Sequence, residues 1–259
     1  MTNINVQKFT PSKKKRDKDG NRIKVFLATP MYGGMCTGRF AESMMGLVKL
    51  GLDYSCFFMG NEALVTRARN SLVHDFLKSD CTHLLFVDAD IDFNPREVFE
   101  MITSGQDVVC GIYPKKYINW QAAFDTVRRG GSDEMGLFRS LDLCFTSQNP
   151  IRMGSKELVE VDRAATGMMC IKRSVFEKLA DQVPSYKAGI RIFGSMEPED
   201  EVKQFFDSSI DPETGLLESE DFHFCRIWKN AGGKIHVAPW VCLKHVGQYT
   251  FGMDYSRPK

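Results

Sequence analysis

The chain lacks an apolar run long enough to cross a membrane, and its N-terminus lacks an apolar signal core. A spanning helix needs about 18 or more consecutive apolar residues, so we expect neither membrane insertion nor export. The chain also lacks an excess of either charge, because 34 Lys and Arg balance 33 Asp and Glu to a net charge of +1. This balance excludes polyanion binding through overall charge, although a local basic patch can still bind nucleic acid.

Two nucleotide-binding fingerprints and the paired-cysteine motif are also missing. Neither GxGxxG nor GxxxxGK[ST] occurs, so the sequence has no dinucleotide fingerprint and no P-loop. The eight cysteines are scattered without a CxxC pair, and several lie inside apolar segments. We therefore expect reduced, partly buried thiols in a cytoplasmic protein and no zinc site.

What is present is an alternating α/β pattern after a polar start. Of the 259 residues, 43% are apolar, which suffices for one domain over residues 23–259. Residues 1–22 form a basic arm, which we expect to be flexible. Short apolar strands are predicted at 24–30, 53–60, 83–87 and 107–113, with helices between them at 37–51, 61–78 and 94–105. This alternation predicts an α/β fold whose central sheet is mostly parallel, flanked by helices and joined by a small antiparallel segment.

The second half of the sequence is less regular. Residues 114–163 are expected to form short antiparallel strands, and 184–217 a long loop. A loop of this length is unusual in a compact domain unless it is functional, so we expect it to order over a bound ligand. The remaining elements are predicted as a strand at 164–172, helices at 174–181 and 219–231, and a strand at 234–243.

Two aspartates follow the buried strand 83–87. Asp88 and Asp90 are separated by Ala89, so on extended backbone they point the same way. Ligands of open α/β sheets bind at this carboxyl edge. Carboxylates there can share Mg²⁺ or Mn²⁺ with substrate phosphates, although a pair of acids can also merely cap the next turn.

Other polar residues are expected at the same edge. A nucleoside fits over the end of the first strand, where glycines at 33 and 34 permit close backbone approach, and arginine side chains suit phosphates or base edges. Acids at a helix start are favoured by the helix dipole, but they also suit a general base. The candidates are Thr29, Pro30, Met31 and Tyr32 on the first strand end, Arg67 and Asn70 on the second helix, Lys115 and Lys116 after the fourth strand, Glu220 and Asp221 at the start of the last helix, and His245 after the last strand.

Over about residues 23–247 this ordered set resembles the GT-A fold glycosyltransferases. The resemblance rests on Ala28-Thr29-Pro30, the DxD motif Asp88-Ala89-Asp90, the glycine-containing strand with Gly167, the acidic pair Glu220-Asp221 and the C-terminal His245. Stretches 67–70, 111–116 and 165–167 also resemble a phage and large-virus branch of these enzymes, for which the location would be the host cytoplasm.

The resemblance implies a role for each candidate. Asp88 would face the ribose, and Asp90 with His245, together with Asp88, would hold Mn²⁺ or Mg²⁺. Asp221 would be the catalytic base, assisted by Glu220. Residues 29–32, Arg67 and Asn70 would bind the donor nucleotide, while Gly167, Lys115 and Lys116 would lie near the acceptor or donor sugar. The donor would be a UDP- or GDP-sugar, with UDP favoured, and the acceptor a glycan or a hydroxylated base in phage-type DNA.

Two other functions stay open at this point. A nucleotidyltransferase acting on a sugar phosphate would also use an aspartate pair, although it normally needs a basic glycine-rich loop after the first strand. A nucleic-acid-binding module would use the basic arm, in particular Lys13–Lys18, to contact phosphates.

Overall fold

A computed structural model of the chain describes residues 8–9, 16, 20, 22–189 and 197–247. The strands are β1 Lys8–Phe9, β2 Val25–Met31, β3 Tyr54–Gly60, β4 His83–Val87, β5 Ile91–Asp92, β6 Val108–Ile112, β7 Pro114–Ile118, β8 Leu141–Leu143, β9 Phe145–Thr146, β10 Val159–Val161, β11 Arg163–Ala164, β12 Met168–Lys172, β13 Ser185–Lys187, β14 Glu201–Lys203, β15 Ser209–Ile210, β16 Leu217–Glu218, β17 Ile235–Cys242 and β18 Lys244–His245. The helices are α1 Gly38–Lys49, α2 Val65–Lys78, α3 Pro95–Ile102, α4 Trp120–Arg128, α5 Asp133–Arg139, α6 Arg173–Leu179 and α7 Glu220–Asn230, with a 3-10 turn at Tyr32–Gly34.

The central sheet has the strand order β1-β3-β2-β4-β12-β6-β17-β10. Strands β3, β2 and β4 are parallel neighbours, as are β6 and β17, whereas β12 is antiparallel to both β4 and β6. The α/β class and the mostly parallel sheet are therefore confirmed. The strand expected at 164–172 supplies β12, which runs against its neighbours in the middle of the sheet.

Two apolar clusters cover opposite faces of this sheet. Alternate residues of β2 belong to different clusters, with Phe26 packing in one and Leu27 in the other. The first cluster is completed by α2, α6 and α7, and the second by α1 and α3. This period of two along a largely buried strand is what a sheet covered by helices on both faces requires.

The helix expected from Asn61 begins later. Asn61 has φ 61°, in the left-handed region, and the first helical residue of α2 is Val65. A residue in the left-handed region does not supply the extended backbone of an N-cap, so the helix cannot start there.

The segment 114–163 contains a helical hairpin that the sequence patterns do not predict. Strands β7 and β8 pair antiparallel, as do β9 and β11, in keeping with the expectation. Between β7 and β8, however, α4 and α5 are each capped, because Asn119 accepts from the Ala122 N–H at 3.0 Å and Ser132 from the Met135 N–H at 3.2 Å. These capping residues are the local signal that the prediction of strands alone overlooked.

The expected loop at 184–217 is also more structured than predicted. Strand β13 pairs with β14 and β15 with β16, and Phe205 and Phe206 are fully buried. Residues 190–196 lie outside the described part, so the expected ordering over a ligand stays a prediction.

Part of the predicted N-terminal arm belongs to the sheet. Strand β1 pairs antiparallel with β3, and Arg22 Nη2 lies 2.9 Å from Asp53 Oδ2. Of the basic run at 13–18 only Arg16 is described. Across the described ranges, no helix is long and apolar enough to cross a membrane.

Candidate active site at the carboxyl edge of the sheet

The aspartate motif lies where β4 ends, fixed by backbone hydrogen bonds from both sides. The Asp88 N–H donates to the Gly167 carbonyl at 3.0 Å, which joins it to the start of β12. The Thr37 N–H donates to the Ala89 carbonyl at 3.0 Å, which brings the turn after β2 to the same place. The neighbouring strand ends thus meet around the motif, as expected for the carboxyl edge of an α/β sheet.

Asp90 and His245 are brought together by the pairing of β5 with β18. His245 stands opposite Ile91 in this pair, and the Val246 N–H donates to the Asp90 carbonyl at 2.9 Å. His245 Nε2 lies 3.4 Å from Asp90 Oδ1, while Lys116 Nζ donates to Asp90 Oδ2. Burial raises the pKa of Asp90, but the hydrogen bonds from His245 and Lys116 outweigh it and lower the pKa to about 2.

The orientation of the His245 ring fixes which nitrogen is available to a ligand. Nδ1 lies 2.9 Å from the Pro114 carbonyl oxygen, which can only accept, so Nδ1 carries the hydrogen. Nε2 is therefore the ring nitrogen that faces Asp90 and that can bind a ligand. Metal-bound histidines have the same arrangement, in which the second nitrogen donates to a carbonyl.

The expected three-residue metal set is not formed. Among the described residues, no group of three or more His, Cys, Asp and Glu side chains is arranged to hold a metal ion. Asp90 and His245 make a pair, but the Asp88 carboxylate accepts from Arg69 instead. A third protein ligand is therefore not supplied by Asp88 in this arrangement.

Arg69 is the basic residue of α2 that reaches the site. Its Nη2 lies 3.3 Å from Asp88 Oδ1 and its Nε 3.1 Å from Glu220 Oε1, with the Arg69 side chain only 5% exposed. Its Nη1 is buried and has no hydrogen-bond partner in the described part of the chain. Arg69 is not among the site residues predicted from the sequence. Its spacing from the buried Leu72, Val73 and Phe76 nevertheless places it on the inner face of the helix.

Arg67 and Asn70, the two residues favoured from the sequence, are engaged elsewhere. Arg67 donates to Glu62 through Nε at 2.8 Å and Nη2 at 2.9 Å. Asn70 donates to the Phe206 carbonyl at 2.8 Å and accepts from the Phe206 N–H at 2.9 Å, both buried. Asn70 therefore holds the backbone at Phe206 in place. The structure does not bring the side chains of Arg67 and Asn70 to the aspartates.

The two acids at the start of α7 have different surroundings. Glu220 is bonded to Arg69, whereas Asp221 accepts from the Ser219 hydroxyl and from the Phe222 N–H. Burial raises the pKa of Asp221, and the charge of Glu220 raises it further. A carboxylate with a raised pKa and no basic side chain bonded to it is a better proton acceptor than one held by an arginine.

Gly167 has no side chain, and the Tyr113 ring occupies the space that one would fill. A Cβ at this position would lie 2.4 Å from the Tyr113 ring, and the Gly167 N–H donates to the Tyr113 hydroxyl at 2.9 Å. The Tyr113 ring in turn lies edge-on to His245, with 5.4 Å between ring centroids. Gly167 therefore lets the tyrosine pack between β12 and the histidine, beside Asp88.

The remaining predicted residues divide between the core and the surface. Thr29 is fully buried and its Oγ1 has no hydrogen-bond partner among the described residues, while Met31 is buried and Pro30 half-buried. Tyr32, the first residue of the 3-10 turn, is 72% exposed. Lys115 donates to Asp142 at 2.7 Å, so of the two adjacent lysines only Lys116 reaches Asp90.

Comparisons with known proteins find structural likenesses alone. No family model matches the chain, and no curated protein matches it. The A197 protein from STIV is similar in structure at 16% sequence identity and a TM-score of 0.44, over 91% of this chain and all of that one (100%). GalNAc-T7, crystallised with UDP, GalNAc and Mn²⁺, is similar at 13% identity and a TM-score of 0.44, over 87% of this chain and 44% of that one. The chain thus spans less than half the length of GalNAc-T7, and at these scores neither likeness bears on what it does.

Proposed function

We propose that the chain is a metal-dependent glycosyltransferase, which moves a sugar from a nucleoside-diphosphate sugar to an acceptor hydroxyl, with UDP favoured over GDP in the donor. The observation that carries the proposal is the meeting of Asp90 with His245 at the carboxyl edge of the sheet. The acid pair at the start of α7 is linked to the same edge through the bonds of Arg69 to Glu220 and Asp88.

The cofactor of this proposal is Mn²⁺ or Mg²⁺. Asp90 supplies a carboxylate oxygen and His245 the Nε2 lone pair, and such cations take their other ligands from substrate phosphates and water. The donor set therefore fits a cation that binds together with the diphosphate. When bound, the cation would neutralise charge on the leaving diphosphate.

The chain's own residues would then divide the remaining work. Asp221 would accept the proton of the acceptor hydroxyl, because burial and Glu220 raise its pKa toward the working pH. Glu220, bonded to Arg69, would hold the guanidinium in position. The acceptor would be a glycan or a hydroxylated base in phage-type DNA, and in the second case the basic run at 13–18 would contact phosphates.

The nucleotidyltransferase alternative finds less support. The turn Tyr32–Gly34 after β2 carries no lysine or arginine. The next basic residue, Arg39, pairs with Glu42 on the surface of α1. A basic loop around a nucleoside triphosphate is therefore not provided at this position.

A screen of nucleotide-sugars for Mn²⁺-dependent hydrolysis tests the proposal. Asp90→Asn should abolish hydrolysis, and Asp221→Asn should abolish transfer while the thermal shift with UDP and Mn²⁺ persists. Asp80→Asn is the matched control. Asp80 precedes β4, is exposed and pairs with Lys24. Absence of both hydrolysis and a thermal shift with every nucleoside diphosphate and Mn²⁺ would refute the proposal.

A further inference from the structure

Lys116 and a divalent cation would both bind the carboxylate of Asp90. The Lys116 ammonium donates to Oδ2 and His245 faces Oδ1, so both oxygens of this carboxylate already have a partner. A cation that binds Asp90 and His245 must therefore approach the ammonium closely. Two positive charges at one carboxylate repel each other, and the more mobile one is displaced.

The path of the Lys116 side chain is specific to this lysine. Lys116 lies on β7, and a Cβ added at Gly247 would come within 3.0 Å of its Cδ, so the lysine stem passes over a residue without a side chain. Lys115, the next residue on the strand, turns to Asp142 instead. The contact with Asp90 is thus a feature of one position rather than of a general basic surface.

The ammonium is also able to leave. The Lys116 side chain is 43% exposed, and its four-carbon stem can move its charge without moving β7. A diphosphate bound to the same cation would offer anionic oxygens to the released ammonium. The Lys116 ammonium would then pair with the diphosphate instead of with Asp90.

We propose that Lys116 is a resident cation of the site, which competes with the divalent metal for Asp90 and moves to the diphosphate when metal and nucleotide bind together. This inference rests on the proposed function, because it takes a nucleoside diphosphate as the ligand. Metal binding and nucleotide binding would then be coupled. The metal binds weakly by itself and more tightly when the nucleotide is bound, and the nucleotide likewise binds more tightly when the metal is bound.

Mn²⁺ binding to the full chain, measured through the electron paramagnetic resonance of free Mn²⁺, tests the competition without any turnover. Lys116→Gln should bind Mn²⁺ alone about fivefold more tightly than the unchanged protein, the size expected for losing one partly exposed ion pair. Lys116→Arg, which keeps the charge, should bind like the unchanged protein. Lys115→Gln, the matched control, should leave the Mn²⁺ dissociation constant unchanged. Adding Asp90→Asn to Lys116→Gln should remove the gain.

A second measurement, with UDP present, tests the transfer of the ammonium. UDP should tighten Mn²⁺ binding less in Lys116→Gln than in the unchanged protein. An unchanged or weaker Mn²⁺ affinity in Lys116→Gln, an equal gain in Lys115→Gln, or no Mn²⁺ binding by any variant overturns the inference. If Lys116→Gln gains Mn²⁺ affinity but no nucleotide-sugar is turned over, the competition stands and the proposed transferase activity fails.

Discussion

Replacing Arg69 with methionine should destabilise the chain by about 3 kcal/mol, because it leaves two carboxylates without their cation. Arg69 Nη2 and Nε lie 3.3 Å from Asp88 and 3.1 Å from Glu220. Methionine keeps most of the apolar stem that packs near the Phe86 ring, where the guanidinium now lies 5.1 Å from the ring centroid. The substitution therefore removes charge and hydrogen bonds more than it removes packing.

The magnitude follows from burial. Removing one partner of a buried ion pair costs about 3–5 kcal/mol, since the other charge stays desolvated. The Glu220 side chain is 13% exposed and that of Asp88 31%, so water partly screens Asp88 and the lower figure applies. For a chain of this size, 1 kcal/mol shifts Tm by about 2–4 °C, so Tm should fall by about 6–12 °C.

Urea denaturation followed by circular dichroism, with thermal melting beside it, measures the effect. The matched control is Arg39→Met, which breaks an exposed pair with Glu42 on α1 and should cost less than about 1 kcal/mol. Combining Arg69→Met with Glu220→Gln should recover part of the loss, because the second change removes an uncompensated charge. A loss for Arg69→Met no larger than that for Arg39→Met would refute the bridging role of Arg69.

Two further perturbations test single contacts of the fold. Gly167→Ala should lower the free energy of unfolding by about 1–3 kcal/mol and perturb tyrosine fluorescence, because the new Cβ would meet the Tyr113 ring. Gly38→Ala is the control and should do neither, because the space around Gly38 is open. Equal stability of the two variants would contradict the packing of Tyr113 against Gly167. Hydrogen bonds from the Glu197 N–H and then from Lys78 lower the pKa of Asp200 from 3.8 to about 2, so this carboxylate adds stability above pH 3.8 that is lost as the pH falls toward 2. In Asp200→Asn the urea midpoint should therefore depend less on pH over that interval. An unchanged pH dependence would contradict these contacts.

Much of the fold follows from local patterns in the sequence. The apolar strand that ends just before Asp88, the proline-led helix after Asn94 and the last long strand before His245 are each set by neighbouring residues. Each appears in the structure within a few positions of its prediction. The pairs β13–β14 and β15–β16 escaped prediction, because strands of two or three residues are too short to show an alternation of apolar and polar residues.

The candidate site was predicted in its parts but not in its contacts. The sequence by itself determined that acids follow β4, that a second acid pair opens α7 and that a histidine follows the last long strand, since each depends on where a strand or helix ends. Only the tertiary structure decided that His245 faces Asp90 but not Asp88, and that Arg69 rather than Arg67 reaches the acids. The physical reason is that a side chain's partner depends on which distant elements pack together, and the antiparallel pairing of β5 with β18 is not encoded in the periodicity of either strand.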